Sequence, residues 1–122
     1  LRQKLLGDEH PDVATSFNNL AALYRSQGRY SEAEPLYQQA LALRQKLLGD
    51  EHPDVATSFN NLGSLRFSQG RYQEAATYLE RALALIERLL GPDHPNTQTM
   101  RGNLDFVRQK IAQSAREPGT GS

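Results

Sequence analysis

LLGDEHPDVATSFNNL, Leu5 to Leu20, returns letter for letter as Leu47 to Leu62. An active site draws different residues from different places to one point, so a passage written twice in tandem reads as a duplicated building block. The duplication extends outward from it. Residues 1–42 and 43–84 differ at only eleven positions, and their first twenty letters are identical, which sets the period at 42. A third copy opens at Leu85, keeps Gly91, His94, Pro95 and Leu104 in register with Gly49, His52, Pro53 and Leu62, and then drifts. Self-similarity at such a spacing predicts a solenoid, in which each unit buries its apolar face by stacking on the next.

Each unit carries two helical patterns. In the first, Phe17, Leu20, Ala21 and Tyr24 recur at the i, i+3, i+4, i+7 spacing of one helix face. Pro11 and Asp12 suit its first turn, because proline has no N–H to leave unpaired and a carboxylate favours the positive end of the helix dipole. Gly28 ends it. The second starts near Ser31, where Ser31 and Glu34 have capping-box spacing, and runs through Ala33, Leu36, Tyr37, Ala40, Leu41, Leu43 and Leu47 to Gly49. Pro35 is expected within about one turn of that start, since deeper it would delete a backbone bond. The next unit predicts helices over about 53–69 and 73–90, and the last one over about 95–115. There Met100, Leu104, Val107 and Ile111 form one narrow stripe while Arg101, Asp105, Arg108 and Gln113 point to water, the character of a terminal cap.

The expected organisation is therefore the end of a truncated preceding repeat at 1–6, repeats at 7–48 and 49–90, a capping helix at 91–115 and a flexible tail at 116–122. Because residues 1–6 match only the last turns of a second helix, an apolar N-terminal edge is expected to be exposed. Length and charge narrow the function. A chain of 122 residues has room for one domain. Fourteen basic and fourteen acidic residues cancel and are scattered, so nucleic acid and acidic membrane surfaces are not expected partners. Apolar runs fall far short of the roughly 20 residues a bilayer requires, and no signal-like N-terminus is visible. Cysteine is absent, which removes disulfides, thiol nucleophiles and Cys-based zinc sites and suits a reducing cytoplasm, the expected location.

Aligned on Gly28, the series Phe17, Leu20, Ala21, Tyr24, Gly28, Tyr30, Ala33, Tyr37, Ala40 resembles the tetratricopeptide repeat, and it recurs as Phe59, Leu62, Gly63, Gly70, Tyr72, Ala75, Leu79, Ala82. Arg66 departs from it where an aromatic is expected, and Arg101 and Asp105 replace core residues in the third unit. The usual period is about 34, and the longer second helix ending in LALRQKLLGDEHP makes the chain similar to the repeats of kinesin light chains and related bacterial proteins. The likeness covers roughly Leu1 to Ile111. It implies an all-α, right-handed α-solenoid of stacked helix-turn-helix repeats with a C-terminal capping helix, acting as a scaffold for protein partners.

The resemblance also implies a concave groove, lined by the first helix of each unit, for an extended peptide or a partner helix. Carried onto this sequence, the groove positions are Thr15, Asn18, Asn19, Ala22, Arg25 and Ser26, then Thr57, Asn60, Asn61, Ser64, Phe67 and Ser68. The cap helix adds Thr99, Gly102, Asn103, Phe106, Gln109 and Lys110. Asn19, Asn61 and Asn103 fall one period apart, and a carboxamide both donates and accepts, so such a ladder suits either a peptide backbone or the neighbouring helices. Phe67 and Phe106 offer an aromatic patch, unless Phe67 is the core aromatic of Tyr24 displaced by one residue. The carboxylate clamp of some members would need lysines where Thr15 and Thr99 stand and an arginine at Asn103, so a chaperone-tail ligand is not expected.

His10, His52 and His94 lie one period apart, on successive units, too far from one another to share a metal ion, and read as linker residues at helix starts. Asp8, Glu9, Asp50 and Glu51 make a repeated acidic ridge at the same place. No catalytic set, phosphate loop, metal site or cofactor motif can be argued, so no enzyme is expected. The alternative to a binding scaffold is a self-associating structural module, a homo-oligomer formed through exposed repeat ends, such as a homodimer across the N-terminal edge, or by helix swapping.

Overall fold

Histidine followed by proline starts each unit, and the computed structural model, which describes residues 10–116, explains the pairing. Proline takes the first helical position, and the Nδ1 atoms of His10, His52 and His94 each accept the backbone N–H two residues on, at 3.0 Å. The imidazole therefore performs the N-cap task usually given to Ser or Asp, pairing an N–H that has no partner within the helix. From these starts run α1 (Pro11–Ser26), α3 (Pro53–Ser68) and α5 (Pro95–Arg116). Between them lie α2 (Tyr30–Leu48) and α4 (Tyr72–Leu90), and the described residues contain no strand. The segment expected at 1–6, the tail at 117–122, and Asp8 and Glu9 of the acidic ridge lie outside the described residues.

The turns follow from glycine. Gly28 and Gly70 take φ values of 76° and 77°, a left-handed conformation that other residues adopt at a cost. The Gly28 N–H then bonds the Arg25 carbonyl at 3.0 Å and the Arg29 N–H bonds that of Tyr24 at 2.8 Å, and the same pair of bonds recurs around Gly70. This double closure pairs the last carbonyls of the helix and sends the chain straight into the next one.

The capping box expected at Ser31 and Glu34 does not form. α2 starts at Tyr30, its N-cap Arg29 makes no side-chain cap bond, and Glu34 is drawn across to α3 instead. Arg29 reaches forward to pair with Glu32, Nε to Oε1 at 2.6 Å. With the earlier start, Pro35 becomes the sixth residue of α2, deeper than the one turn expected, and the Ser31 carbonyl loses its usual intrahelical donor.

Consecutive helices pack in order, and the buried residues both fill each unit and join it to the next. One cluster gathers Ala21 of α1, Ala33 and Tyr37 of α2, and Leu62 and Leu65 of α3. A second gathers Val55 and Ala56 of α3, Ala82, Leu85 and Ile86 of α4, and Met100 of α5. A third joins Ala75, Ala76 and Leu79 of α4 to Leu104 and Val107 of α5. The apolar seam thus runs continuously along an all-α solenoid. Burying side chains of this size contributes about 1.5–3 kcal/mol each for the larger ones, and part of that depends on the neighbouring unit.

The apolar edge expected to be exposed is formed by Leu20 and Leu23, and one expected placement changes. In α1 only Ala14 and Ala21 are buried, while Leu20 is 40% and Leu23 52% exposed; their counterparts one period on, Leu62 and Leu65, are 1% and 0% exposed. Arg101 of α5, expected to point to water, is partly covered and bonds Glu87 on α4, Nη2 to Oε2 at 3.2 Å.

Candidate functional site

Because α1, α3 and α5 are counterparts in successive units, their equivalent faces line up. α1 touches α3 directly, and polar side chains bridge the line. Asn61 Nδ2 donates to Asn18 Oδ1 at 2.6 Å, and Asn103 Nδ2 donates to Asn60 Oδ1 at 3.2 Å. The bonded residues are 43 apart, one more than the period, so the register that links the helices joins Asn18 to Asn61 rather than Asn19 to Asn61. Asn19 is exposed. Within each bridge the amide of Asn18 or Asn60 and the carbonyl oxygen of Asn61 or Asn103 keep hydrogen-bonding capacity, since a carboxamide offers two donors and an acceptor with two lone pairs.

Farther along the same face a cavity of about 130 Å³ opens where the three helices meet. Arg25 comes from α1, Ser64 and Phe67 from α3, and Asn103 and Phe106 from α5. Leu79 of α4 and Val107 of α5 complete the lining. A cavity of this size holds several waters or one apolar side chain. The Phe67 ring lies 5.4 Å from that of Phe106 and 5.2 Å from that of Tyr72, in tilted contacts. Phe67 therefore both packs against the cluster of Ala75, Leu79 and Val107 and forms part of the cavity wall. Phe106 is 49% exposed, with Lys110 Nζ 5.6 Å from its ring centre, a cation resting on an aromatic face.

Arg25 supplies the charge. Its Nη1 donates to Ser68 Oγ at 3.3 Å, holding α1 against α3, while its Nε is buried without a hydrogen-bond partner. Five residues singled out from the sequence, Arg25, Ser64, Phe67, Asn103 and Phe106, therefore border one cavity, and Asn18, Asn60 and Asn61 bridge the helices that form it. Leu79 and Val107 were missed as lining residues, for they read as core positions and one of them belongs to a second helix. The histidines stand apart from this face's chemistry, each turned onto its own helix start. Among the described residues no group of three His, Asp or Glu side chains could hold a metal ion, and no helix is long and apolar enough to cross a membrane.

The family model of the tetratricopeptide repeat matches residues 1–46, 12–85 and 54–104. No curated protein matches the sequence. Among solved structures, that of BtubC (BKLC) from P. vanneervenii superposes with a TM-score of 0.80 at 34% identity, over 86% of this chain and 42% of that one. A kinesin-light-chain-like protein from Podosopora anserina with nearly identical TPR-like repeats gives 0.75 at 30% identity, over 87% of this chain and 50% of that one. A point variant of that same protein gives 0.75 at 29% identity, with the same coverage. The chain spans half or less of the length of these relatives.

Proposed function

Since this chain belongs to the tetratricopeptide repeat family and is kinesin-light-chain-like in type, we propose that it binds an extended peptide or a partner helix in the groove formed by α1, α3 and α5, and that it does so without catalysis. Repeats of this family generally mediate protein–protein interaction. The observation that carries the reading is the convergence of Arg25, Phe67, Asn103 and Phe106, from three different helices, on one cavity. In this reading the cavity receives one apolar side chain of the ligand between Phe67 and Phe106, and the asparagine bridges hold its backbone through their spare donors and acceptors. Arg25 and Lys110 flank the aromatic pair and no carboxylate lines the cavity, so a ligand with an acidic group beside its apolar anchor is favoured over a basic one.

Selection of a random peptide display library on the immobilised chain tests this. Recovered peptides should share an apolar anchor, and Phe106→Ala should weaken them at least tenfold with helix content intact. Peptides indifferent to both Phe106→Ala and Arg25→Ala would remove the groove from consideration. The second reading, self-association through the N-terminal edge, has one observation in its favour, the exposure of Leu20 and Leu23. Mass measured by light scattering across a concentration series separates the two readings, because only self-association makes the mass rise.

A further inference from the structure

The three helices that meet at the cavity share a kind of cap that α2 and α4 lack. His10, His52 and His94 each offer Nδ1 to the backbone N–H two residues on, at 3.0 Å, at the starts of α1, α3 and α5. At the starts of α2 and α4, Arg29 and Arg71 make no side-chain cap bond. An imidazole nitrogen accepts a hydrogen bond only while it carries no proton, and imidazole is the side chain whose charge ordinarily changes between about pH 5 and 8. A Ser or Asn cap keeps its acceptor over that whole range.

Protonation at Nδ1 acts twice at one point. The acceptor becomes a donor, so the N–H it held is left unpaired, and a positive charge then stands at the positive end of the helix dipole. Polar bonds between neighbouring helices end beside the same starts. Arg44 of α2 donates to the Asp54 carbonyl at 3.4 Å, and Arg101 donates to the Pro92 carbonyl, two residues before His94, at 3.5 Å.

The charges around the three caps are unequal. Asp12 Oδ2 lies 3.6 Å from His10 Nδ1, and Asp54 holds the matching place in α3. Asn96 stands there in α5, whose first turn carries no acidic residue. Near His52, besides Arg44, Arg88 of α4 pairs with Glu51, the residue before the histidine, and Asp50 precedes that. Lys46 of α2 holds in the first unit the place that Arg88 holds in the second, and Asp8 and Glu9 precede His10. Beside His94 stand Asp93 in the chain and Arg101, which bonds Glu87 of α4. An imidazolium at His10 or His52 thus has a carboxylate in the first turn of its own helix, and one at His94 has none.

We infer that the three imidazole caps are an acid-sensitive device built into α1, α3 and α5: proton uptake between about pH 7 and 5 loosens their starts together, at the greatest cost in α5. By linkage, a group held neutral in the fold stabilises it at high pH, and that contribution is lost as the pH falls.

The test compares the chain with a variant carrying His10→Asn, His52→Asn and His94→Asn, whose carboxamides cap without titrating. Thermal unfolding at a series of pH values from about 7.5 to 5 should show the wild-type midpoint falling by about 5–10 °C and the variant's by less than half as much. Of the three single variants, His94→Asn should remove the largest share of the fall. Heteronuclear NMR of the unaltered chain adds a readout that packing alone would not move. The amide signals of Asp12, Asp54 and Asn96 should shift with the same midpoint as the imidazole two residues before each. If the triple variant does not fold, this amide titration decides alone. Equal falls in wild type and variant, no fall in the wild type, amide signals that stay put while the imidazoles titrate, or a smaller share for His94→Asn than for the other two would each overturn the inference. None of these readouts involves a ligand, so they are independent of the groove reading.

Discussion

Arg66 and Glu34 face each other across the seam between α2 and α3 with both terminal guanidinium nitrogens engaged, Nη2 to Oε2 at 2.6 Å and Nη1 to Oε1 at 3.0 Å. A two-pronged pair of this kind fixes orientation as well as adding attraction. Gln69 Oε1 accepts from Nη1 at 2.9 Å, and Glu74 Oε1 lies 3.2 Å from Nε, so a charge in a position where the family places an aromatic is neutralised within the seam.

The first prediction follows from that pair. Hydrogen bonding from Arg66 holds the Glu34 carboxyl below its ordinary value of 4.5. A group whose folded pKa is depressed stabilises the fold above its unfolded pKa, and that contribution is lost as the pH falls through the folded value. Glu34→Gln should therefore lower stability at pH 7 by about 1–2 kcal/mol, discounted from a fully buried pair because Glu34 is partly solvated and Gln69 and Glu74 remain. The difference between variant and wild type should shrink as the pH is lowered below about 4. Urea unfolding at several pH values measures both effects, and a constant difference down to pH 2 would refute the assignment.

Pro35 sits in the second turn of α2, where its ring replaces an N–H that would bond the Ser31 carbonyl. The next unit has Thr77 at this place, within a regular helix. Pro35→Thr should raise stability by about 1–2 kcal/mol, less than the full cost of an interior proline because the site is near the helix start. Thermal unfolding followed at 222 nm reports it, and a lower midpoint would mean the proline is tolerated without strain.

Gly63 lies where α3 packs tightly on α4. A Cβ there would stand 2.8 Å from Leu79 Cγ and Cδ2 and 3.2 Å from the Ala75 carbonyl oxygen. Its counterpart Ala21 shares a cluster with Ala33 and Tyr37, so the pair alanine with tyrosine in one unit becomes glycine with leucine in the next. Gly63→Ala should cost about 1–2 kcal/mol net, overpacking outweighing alanine's better helix propensity. In a double-mutant cycle with Leu79→Ala the combined loss should be smaller than the sum, since the second change removes the obstructing atoms. Additive losses would place the conflict with the Ala75 carbonyl instead.

The period, the helix starts at Pro11, Pro53 and Pro95, and the glycine stops were legible because they depend on backbone chemistry carried by single residues. The placement of Arg25, Phe67, Asn103 and Phe106 beside one cavity was legible too, since the family pattern fixes which side of each first helix they occupy. What could not be read was decided by neighbours. Leu20 and Leu62 have the same surroundings in sequence and opposite exposure, because burial belongs to the helix packed on top. Ser31 and Glu34 have the letters of a capping box, but Arg66, 32 residues away, makes two bonds to Glu34. The asparagine bridges were one residue off because side chains meet between two helices, and the partner of a residue there need not be its own counterpart.

Arg44 was missed for the same reason, and it carries the last prediction. The arginine is buried with its Nη1 2.9 Å from Ser58 Oγ, and burial pulls its pKa below the ordinary guanidinium value. One period on, Ile86 and Met100 occupy the places of Arg44 and Ser58 and share an apolar cluster. The first seam is polar and the second apolar at equivalent positions, so each helix is matched to its own neighbour. Ser58→Met alone should cost about 2–3 kcal/mol, because it removes the nearest acceptor of a buried guanidinium and leaves only the longer bonds to the Asp54 carbonyl at 3.4 Å and Thr15 Oγ1 at 3.5 Å. Arg44→Ile alone should cost less, about 1 kcal/mol, as the stranded hydroxyl of Ser58 can bond its own helix backbone. The double variant, which rebuilds the second seam in the first, should equal or exceed wild type, since replacing a buried charge by well-packed apolar residues is neutral or stabilising. Chemical denaturation of the four proteins gives the coupling directly. A double variant as unstable as Ser58→Met would show that the two seams differ in geometry and that the exchange of residues has no compensating role.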